Sequence, residues 1–439
     1  MKIVLDWYEL LLWFLYLFTG LGFLYFYKIF NNFKNNHLIS GYLLKCFGGL
    51  FLALIYVYYY PGGDTTLYYF STKQFINILY ENPKLFFDLL LCDPKEATEL
   101  LSLNKYYIYF SNSDEEWFML KISSFFCLMG FNSYLGMTYF FSILSLIGSL
   151  QIYKIFNQII LEKSRQIFYI VFLIPSVLIW GSGVLKDTFT LFGFNMMCFY
   201  LFEFIIRRKF SFLKLIFFIS FSYLVFNLKA YIVFCFLPWI MITLFLYVVK
   251  RNNNPIAKFL IIPYLFILLF TISYFGTSNL LESSSDYKSK QLMKKVEGFQ
   301  KWHNHLGGSF YDLGVKEFTP IGIISKAHLA INVSLFRPYL WESKTFLIML
   351  NSIESLILLI FTIFVLMKTK MNVFGIIFNS PYLFGGFIFC LIFAFTIGIT
   401  SYNFGALSRF KIPLLSNYIF ILYYGYVTYK NEKLNGIRN

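Results

Sequence analysis

The chain has 439 residues, of which 58% are hydrophobic and only 13% are charged. That much apolar surface exceeds what one soluble core buries, so lipid is expected to be the main solvent. The formal net charge of +15 is not arranged as a basic stripe on a soluble fold, which argues against a nucleic-acid-binding protein. The six cysteines have no CxxC spacing, so neither a disulfide framework nor a metal cluster is expected.

Runs of about 20 apolar residues, enough to cross roughly 30 Å of hydrocarbon, predict an all-α polytopic transmembrane bundle of about eleven spans. The first run has no basic n-region or cleavage site before it, so we expect a retained helix and not a cleaved signal peptide. The predicted spans lie near 9–28, 39–60, 132–153, 167–182, 188–206, 213–228, 230–249, 258–276, 345–367, 374–399 and 411–428.

The loops between these spans sort by charge, which predicts orientation. Lys and Arg collect after the first, third, fifth, seventh and ninth spans and at the C-terminus, so these loops are expected in the cytoplasm. The long loops 61–117 and 277–343 hold most of the Asp and Glu and are expected outside. An odd number of spans then places the N-terminus outside and the C-terminus in the cytoplasm.

These features divide the chain into five regions. Residues 1–60 form two spans, 61–131 an extracytoplasmic loop with amphipathic surface helices, and 132–276 a central bundle. Residues 277–343 form a small extracytoplasmic cap, and 344–439 the last spans with a short cytoplasmic tail. The stretch 118–130 is too short for a confident span, so a re-entrant segment, an interfacial segment and the start of a tilted helix all stay open.

Asp64 is the first candidate catalytic residue. It follows the second span on the turn Pro61-Gly62-Gly63, where a backbone approaches a ligand closely. A carboxylate there would act as general base for an acceptor hydroxyl. The alternative interpretation is that Asp64 caps the next helix.

Five Lys and Arg residues, at or near the predicted outer ends of spans, are predicted at the same depth in the membrane. Their positive charge suits binding of a phosphate group. Their structural alternatives are an ion pair between Lys186 and Asp187, helix capping by Asp187, snorkelling of Lys229, and headgroup contacts of the arginines. Glu342 is a possible second acid, with pairing to Arg337 or Lys344 as the alternative. The phosphate-binding candidates are Lys186, Lys229, Arg337, Arg409 and Lys411, with Asp187, Trp341 and Glu342 as secondary residues.

Other polar residues have simpler interpretations. His303 and His305, with His328, are best explained as a solvated surface rather than a metal site. Glu203 and Glu354 lie in apolar runs and are expected to pair with neighbouring helices. The sequence has no P-loop, dinucleotide fingerprint or serine elbow, so ATP-driven transport by this chain alone is not expected.

Three stretches resemble known membrane enzymes. Residues 405–414, GALSRFKIPL, resemble the last outer loop and span of multispanning C-type glycosyltransferases that use polyprenyl-phosphate sugars, where Arg-x-(Arg/Lys)-x-Pro recurs. Asp64 matches the usual position of the catalytic acid in their first large outer loop. The run Pro175 to Asp187 looks like a helix-end motif of bacterial sugar-transferring and O-antigen or polysaccharide-polymerising membrane proteins.

The resemblance implies transfer of a sugar from a polyprenyl-phosphate donor to a glycan or protein acceptor, outside the bacterial cytoplasmic membrane, with no nucleic-acid partner and no required cofactor. Asp64 would be the base, and the cations would neutralise the leaving lipid phosphate in one shared cavity. An O-antigen-type polymerase is the neighbouring alternative. A transporter or flippase for a lipid-linked saccharide is the alternative from another class.

Overall fold

A computed structural model describes residues 3–30, 37–60, 62–160, 165–251, 297–298, 300–301, 309–315 and 319–436. The protein is all-α, as predicted. Its α-helices are α1 Trp7–Phe30, α2 His37–Leu54, α3 Asp64–Glu81, α4 Pro83–Leu91, α5 Pro94–Leu103, α6 Asp114–Met129, α7 Tyr134–Ile160, α8 Arg165–Phe172, α9 Pro175–Ile179, α10 Lys186–Ile205, α11 Phe212–Arg251, α12 Pro320–Ser325, α13 Ala327–Phe336, α14 Phe346–Thr369, α15 Val373–Phe378, α16 Pro381–Ser401, α17 Phe404–Phe410 and α18 Ile412–Leu434.

Seven helices within the described ranges are long and apolar enough to cross a membrane. They are α1, α2 with its π-helical extension Ile55–Tyr59, α7, α10, α11, α14 and α16. The predicted count of eleven is therefore not reached by these helices. The predicted span 258–276 lies outside the described residues, and α18, which covers the last predicted span, is not one of the seven.

Two predicted spans are interrupted, and the sequence explains both. The stretch 167–182 is wrong as one continuous helix, because α8 ends at Phe172, Pro175 begins the short α9, and turns follow from Trp180. Proline lacks the N–H that would continue α8 and disfavours a helical conformation at the preceding residue. The stretch 374–399 likewise divides between α15 and α16, and Pro381 is the first residue of α16.

The helices group into two compact units. The first contains residues 1–199 and 213–230, and the second contains 200–212 and 231–439. In the first unit α2 packs against both α7 and α9. Gly48 and Gly49 allow this approach. A β-carbon on Gly48 would lie 2.5 Å from the carbonyl oxygen of Leu178 in α9, and one on Gly49 would collide with the Ser142 hydroxyl in α7.

The segment 61–131, predicted as an outer loop, folds around its own hydrophobic core. Its predicted amphipathic stretches form α3 and α4, and α5 and α6 complete the group. Phe75, Leu89 and Trp117 are fully buried at its centre. The backbone carbonyl of Cys92 accepts hydrogen bonds from the Trp117 indole at 3.3 Å and the Lys121 ammonium at 2.8 Å. The stretch 118–130 belongs to α6, whose 16 residues fall short of a membrane span.

Helix α11 is interrupted at Lys229, whose φ of −154° and ψ of 78° lie outside the helical region. The sequence predicts a break at this position between two spans. The division between the two units also falls next to it, after Ala230.

In the second unit α13 packs against α16, and α16 packs against α18. A β-carbon on Gly398 of α16 would collide with the carbonyl oxygen of Ala330 on α13, so glycine permits this contact. Helix α13 falls within the segment 277–343 that the sequence assigns to the cap. Much of that segment, including His303 and His305, lies outside the described residues.

Candidate functional site

Asp64 is the first residue of α3. Gly62 and Gly63 precede it with φ values of 129° and 122°, a conformation that favours glycine. Gly63 occupies the N-cap position, so the alternative of Asp64 as the capping residue is wrong. Its carboxylate lies in the first helical turn, where the helix dipole favours negative charge.

Lys186 lies at the start of α10 and forms ion pairs with two glutamates of α6. Its Nζ lies 2.7 Å from Glu116 and 3.0 Å from Glu115, and 15% of its side chain is exposed. The predicted ion pair between Lys186 and Asp187 is therefore wrong. The three charges sum to −1, so Lys186 with these partners offers a phosphate no net positive charge.

Tyr68 connects this acidic cluster, Glu115, Glu116 and Lys186, to the helix that begins at Asp64. The Tyr68 hydroxyl donates a short hydrogen bond to Glu116. Tyr68 is four residues after Asp64, about one helical turn or roughly 6 Å along the axis. The first unit thus links the helix that begins at Asp64 to the cluster that holds Lys186.

Asp187 and Lys229 form a buried ion pair within the first unit. The Lys229 Nζ lies 2.5 Å from an Asp187 carboxylate oxygen, and their side chains are 9% and 1% exposed. Lys229 therefore does not snorkel to the headgroups. Asp187 is the second residue of α10, so the prediction that it caps a helix starting at Thr188 is wrong.

Arg337 lies among three aromatic rings. It caps the C-terminus of α13, and its guanidinium lies 5.4 Å from the ring centre of Phe404, 5.8 Å from that of Tyr339 and 6.0 Å from that of Tyr311. Its Nε donates to both Glu342 carboxylate oxygens at 3.0 and 3.1 Å, and its Nη2 donates a short bond to one of them. Glu342 thus pairs with Arg337, one of the alternatives that the sequence left open.

Glu342 is held as a carboxylate. Burial raises its pKa, but hydrogen bonds from Arg337 and from the Tyr339 backbone N–H, with the charge of Arg337, outweigh burial and leave the pKa below that of an ordinary glutamate. The backbone bond measures 2.7 Å. Glu342 is therefore ionised at neutral pH, so a role as a proton donor is not favoured.

Lys411 is buried and joins Arg337 through a serine. Its Nζ donates to the Ser355 hydroxyl at 3.1 Å, and that hydroxyl donates to the Arg337 carbonyl at 3.1 Å. Lys411 also lies 3.5 Å from Glu354, which confirms the predicted interior pairing of that glutamate. Arg409 lies two residues away in α17, on the helix whose first residue, Phe404, contacts Arg337.

Trp341 is 81% exposed and stacks on Tyr339, with ring centres 4.9 Å apart and planes inclined by 27°. It lies on a 3₁₀ turn, Leu340–Glu342, next to Arg337. The second unit therefore combines Arg337, Tyr339, Trp341, Glu342 and Lys411 in one region.

The candidates divide between the units, with Asp64, Lys186, Asp187 and Lys229 in the first and Arg337, Trp341, Glu342, Arg409 and Lys411 in the second. The single shared cavity stays a prediction. Glu203 pairs at 2.7 Å with Arg207, four residues further along the chain. This ion pair is local and is not the predicted pairing with a neighbouring helix.

Sequence reasoning missed three buried or clustered groups. Lys45 is fully buried within α2, and its Nζ donates to the Val177 carbonyl at 3.3 Å. It is the one Lys, Arg, Asp or Glu inside its predicted span, 39–60, a signal that would have identified it. Glu115 and Glu116 were not among the predicted site residues, because their partner Lys186 lies 71 and 70 positions away in the sequence.

Within the described residues, no group of three or more His, Cys, Asp and Glu side chains is placed to hold a metal ion. The six cysteines are buried and not disulfide-bonded. Searches of protein-family models, curated proteins and solved structures returned no match to this chain.

Proposed function

We propose that the chain is a membrane glycosyltransferase that moves a sugar from a polyprenyl-phosphate donor to an acceptor outside the bacterial cytoplasmic membrane. The observation that carries this proposal is the position of charge in the first unit. Asp64, Lys186 and Asp187 lie in the first turns of α3 and α10, and Glu115 and Glu116 lie in the first turn of α6. Charge at helix ends suits chemistry at a membrane surface.

In the proposed reaction Asp64 takes the proton from an acceptor hydroxyl. The freed oxygen bonds to the anomeric carbon, the bond from that carbon to the phosphate oxygen breaks, and the polyprenyl phosphate leaves with the electron pair. Tyr68, one turn along α3, ties this helix to Glu116 and so fixes its start relative to Lys186. Such positioning is where an enzyme gains much of its rate.

The test compares Asp64→Asn with Asp88→Asn in vesicles that contain the purified protein and polyprenyl-phosphate hexoses. Asp88 is an exposed residue of α4 in the same outer loop and serves as the matched control. We expect D64N to lower the release of polyprenyl phosphate by at least 100-fold, the usual contribution of a general base, and D88N to leave it unchanged. Full activity of D64N would overturn the assignment.

An O-antigen-type polymerase is a second candidate, favoured by the fixed position of Arg337 between aromatic rings. A polymerase that depends on outer-loop arginines would lose more activity from Arg337→Ala and Arg409→Ala than from D64N. The relative damage from these variants distinguishes the two enzymes.

A lipid-linked saccharide transporter is the candidate of another class, and Lys45 favours it. A fully buried lysine within a candidate span, beside the interrupted pair α8 and α9, is typical of transporters that bind near the bilayer midplane. Lys45→Met would abolish movement of the saccharide by a transporter and would spare sugar transfer at the membrane surface by an enzyme.

A further inference from the structure

We propose that Trp341, Tyr339, Arg337 and Glu342 form a binding site for a neutral saccharide. This inference rests on the proposed function and deepens it, because it names the ligand class of a site whose arginine the sequence alone assigns to a lipid phosphate. The four residues lie within six positions of one another, between α13 and α14.

The aromatic half of the site is a fixed and exposed platform. Trp341 stacks on Tyr339, and the Tyr339 hydroxyl accepts a hydrogen bond from Asn332 at 3.2 Å. With 81% of Trp341 exposed, most of its surface is open. The C–H face of a pyranose ring is apolar and packs flat against such a ring, with little loss of side-chain freedom.

The polar half of the site is an ion pair with no net charge. Glu342 takes the Nε and Nη2 edge of Arg337, and within the described residues Nη1 makes no hydrogen bond. A phosphate that bound Nη1 would also face the negative charge of Glu342. A sugar hydroxyl accepts from Nη1 and donates to the carboxylate, so the pair favours a neutral polyol over an anion.

The site is rigid before any ligand binds. The guanidinium of Arg337 is packed against Tyr311 and Phe404, and the Ser355 hydroxyl holds its backbone carbonyl at 3.1 Å. A preorganised arginine and a fixed ring lower the entropy lost on binding. Both groups are therefore placed to recognise one ring and its hydroxyls together.

The experiment measures binding of the purified full chain, in detergent, to an array of neutral oligosaccharides of hexose and N-acetylhexosamine. The variants are Trp341→Ala, Trp341→Phe and the control Trp7→Ala, since Trp7 is 82% exposed and outside the site. We expect W341A to weaken glycan binding at least tenfold, W341F to bind within a few-fold of the wild type, and W7A to bind normally. Inorganic pyrophosphate, added as competitor, should not displace the glycan.

Several results would overturn the proposal. They are the absence of glycan binding by the wild type, equal binding by W341A and W7A, and displacement of the glycan by pyrophosphate. Weaker association of W341A with phospholipid vesicles and unchanged glycan binding would instead identify Trp341 as an interfacial anchor. Because binding is measured without a donor, failure of this site is distinguishable from failure of the transfer reaction, which D64N tests.

Discussion

The ion pair of Arg337 and Glu342 links a turn outside the candidate spans to the helices of the second unit. Glu342 accepts hydrogen bonds from Arg337 and from the Tyr339 N–H, and the Arg337 carbonyl accepts one from Ser355 in α14. The pair is about four-fifths shielded from solvent, so its partners matter more than those of an exposed ion pair. The turn that carries Trp341 therefore depends on Glu342 remaining ionised.

This dependence predicts a pH effect on stability. Because folding lowers the pKa of Glu342 below that of an ordinary glutamate, the stabilising contribution is present above the unfolded pKa and is lost as the pH falls through the folded pKa. We expect the difference in Tm between the wild type and Glu342→Gln to be largest at neutral pH and to shrink as the pH falls through the range in which Glu342 is protonated, as followed by thermal unfolding in detergent. A difference that stays constant down to pH 3 would contradict this account.

Single residues also show which contacts cannot be predicted from the sequence. The carboxylate of Glu9 in α1 accepts hydrogen bonds from the backbone N–H groups of Tyr134 and Leu135, at 3.1 and 2.9 Å, and from the Ser133 hydroxyl at 2.5 Å. It therefore satisfies donors at the start of α7. Residue type predicts charge and hydrogen-bonding capacity, but partners more than 120 positions apart follow only from the packing of helices.

At the scale of elements, the residue that interrupts α11 forms an ion pair with another helix. Lys229 leaves the helical conformation, and its ammonium pairs with Asp187 in the first turn of α10. Removal of one partner from a buried pair leaves the other charge in an apolar environment. The break in α11 and the start of α10 are thus coupled.

We expect Lys229→Met to lower the free energy of unfolding of the first unit by about 3–5 kcal/mol, because it deprives Asp187 of its ion-pair partner. The double variant Asp187→Asn with Lys229→Met should recover much of this loss. Thermal or denaturant unfolding in detergent measures both. If the loss of unfolding free energy in the double variant equals the sum of the losses in the two single variants, the two residues are not coupled.

The helices α3 to α6 offer a matched pair of leucines. Leu89 is fully buried in their core, and Leu91, two residues later, is 90% exposed. Leu89→Ala should cost about 2–5 kcal/mol through the cavity it leaves, and Leu91→Ala should cost much less. Limited proteolysis of residues 64–129 should therefore be faster in L89A than in the wild type, and unchanged in L91A. Equal rates of cleavage in the two variants would contradict the burial of Leu89 in this core.

Elements were predicted well where local pattern determines them. Long apolar runs identified the seven candidate spans, and amphipathic period with Pro83 identified α4. The stretch 167–182 was predicted as one span, although it contains Pro175, the residue at which the second helix begins. Start positions were less accurate, since α3 and α10 begin at Asp64 and Lys186 and not after them.

For the whole molecule, the basic loops and the acidic outer loop make orientation a testable property. The positive-inside rule places residues 61–117 outside and the C-terminal tail in the cytoplasm. Single cysteines at two exposed positions, Asn104→Cys and Lys433→Cys, suit labelling, because the six native cysteines are buried. We expect a membrane-impermeant maleimide to label N104C in intact cells and K433C only after permeabilisation. The reverse pattern would invert the proposed topology and move Asp64 to the cytoplasm.

The sequence could predict an all-α chain with many apolar helices, because burial in lipid demands hydropathy that is visible in the residues themselves. It also named Arg337 as one of two alternative partners for Glu342. It could not predict that Lys186 is matched by two glutamates, because the approach of α6 to α10 is a property of the packed unit. The proposed chemistry therefore rests on Asp64 and its neighbours more than on the number of cations.

The central claim is that the chain forms a covalent glycosidic product and does not merely move its substrate. The direct measurement is mass spectrometry of proteoliposomes that contain the purified protein, a polyprenyl-phosphate hexose and an oligosaccharide acceptor. The account predicts an acceptor heavier by one sugar residue, with an equal amount of free polyprenyl phosphate, and neither product with D64N. Transfer of the lipid-linked sugar from one leaflet to the other, without any extended acceptor, would contradict it.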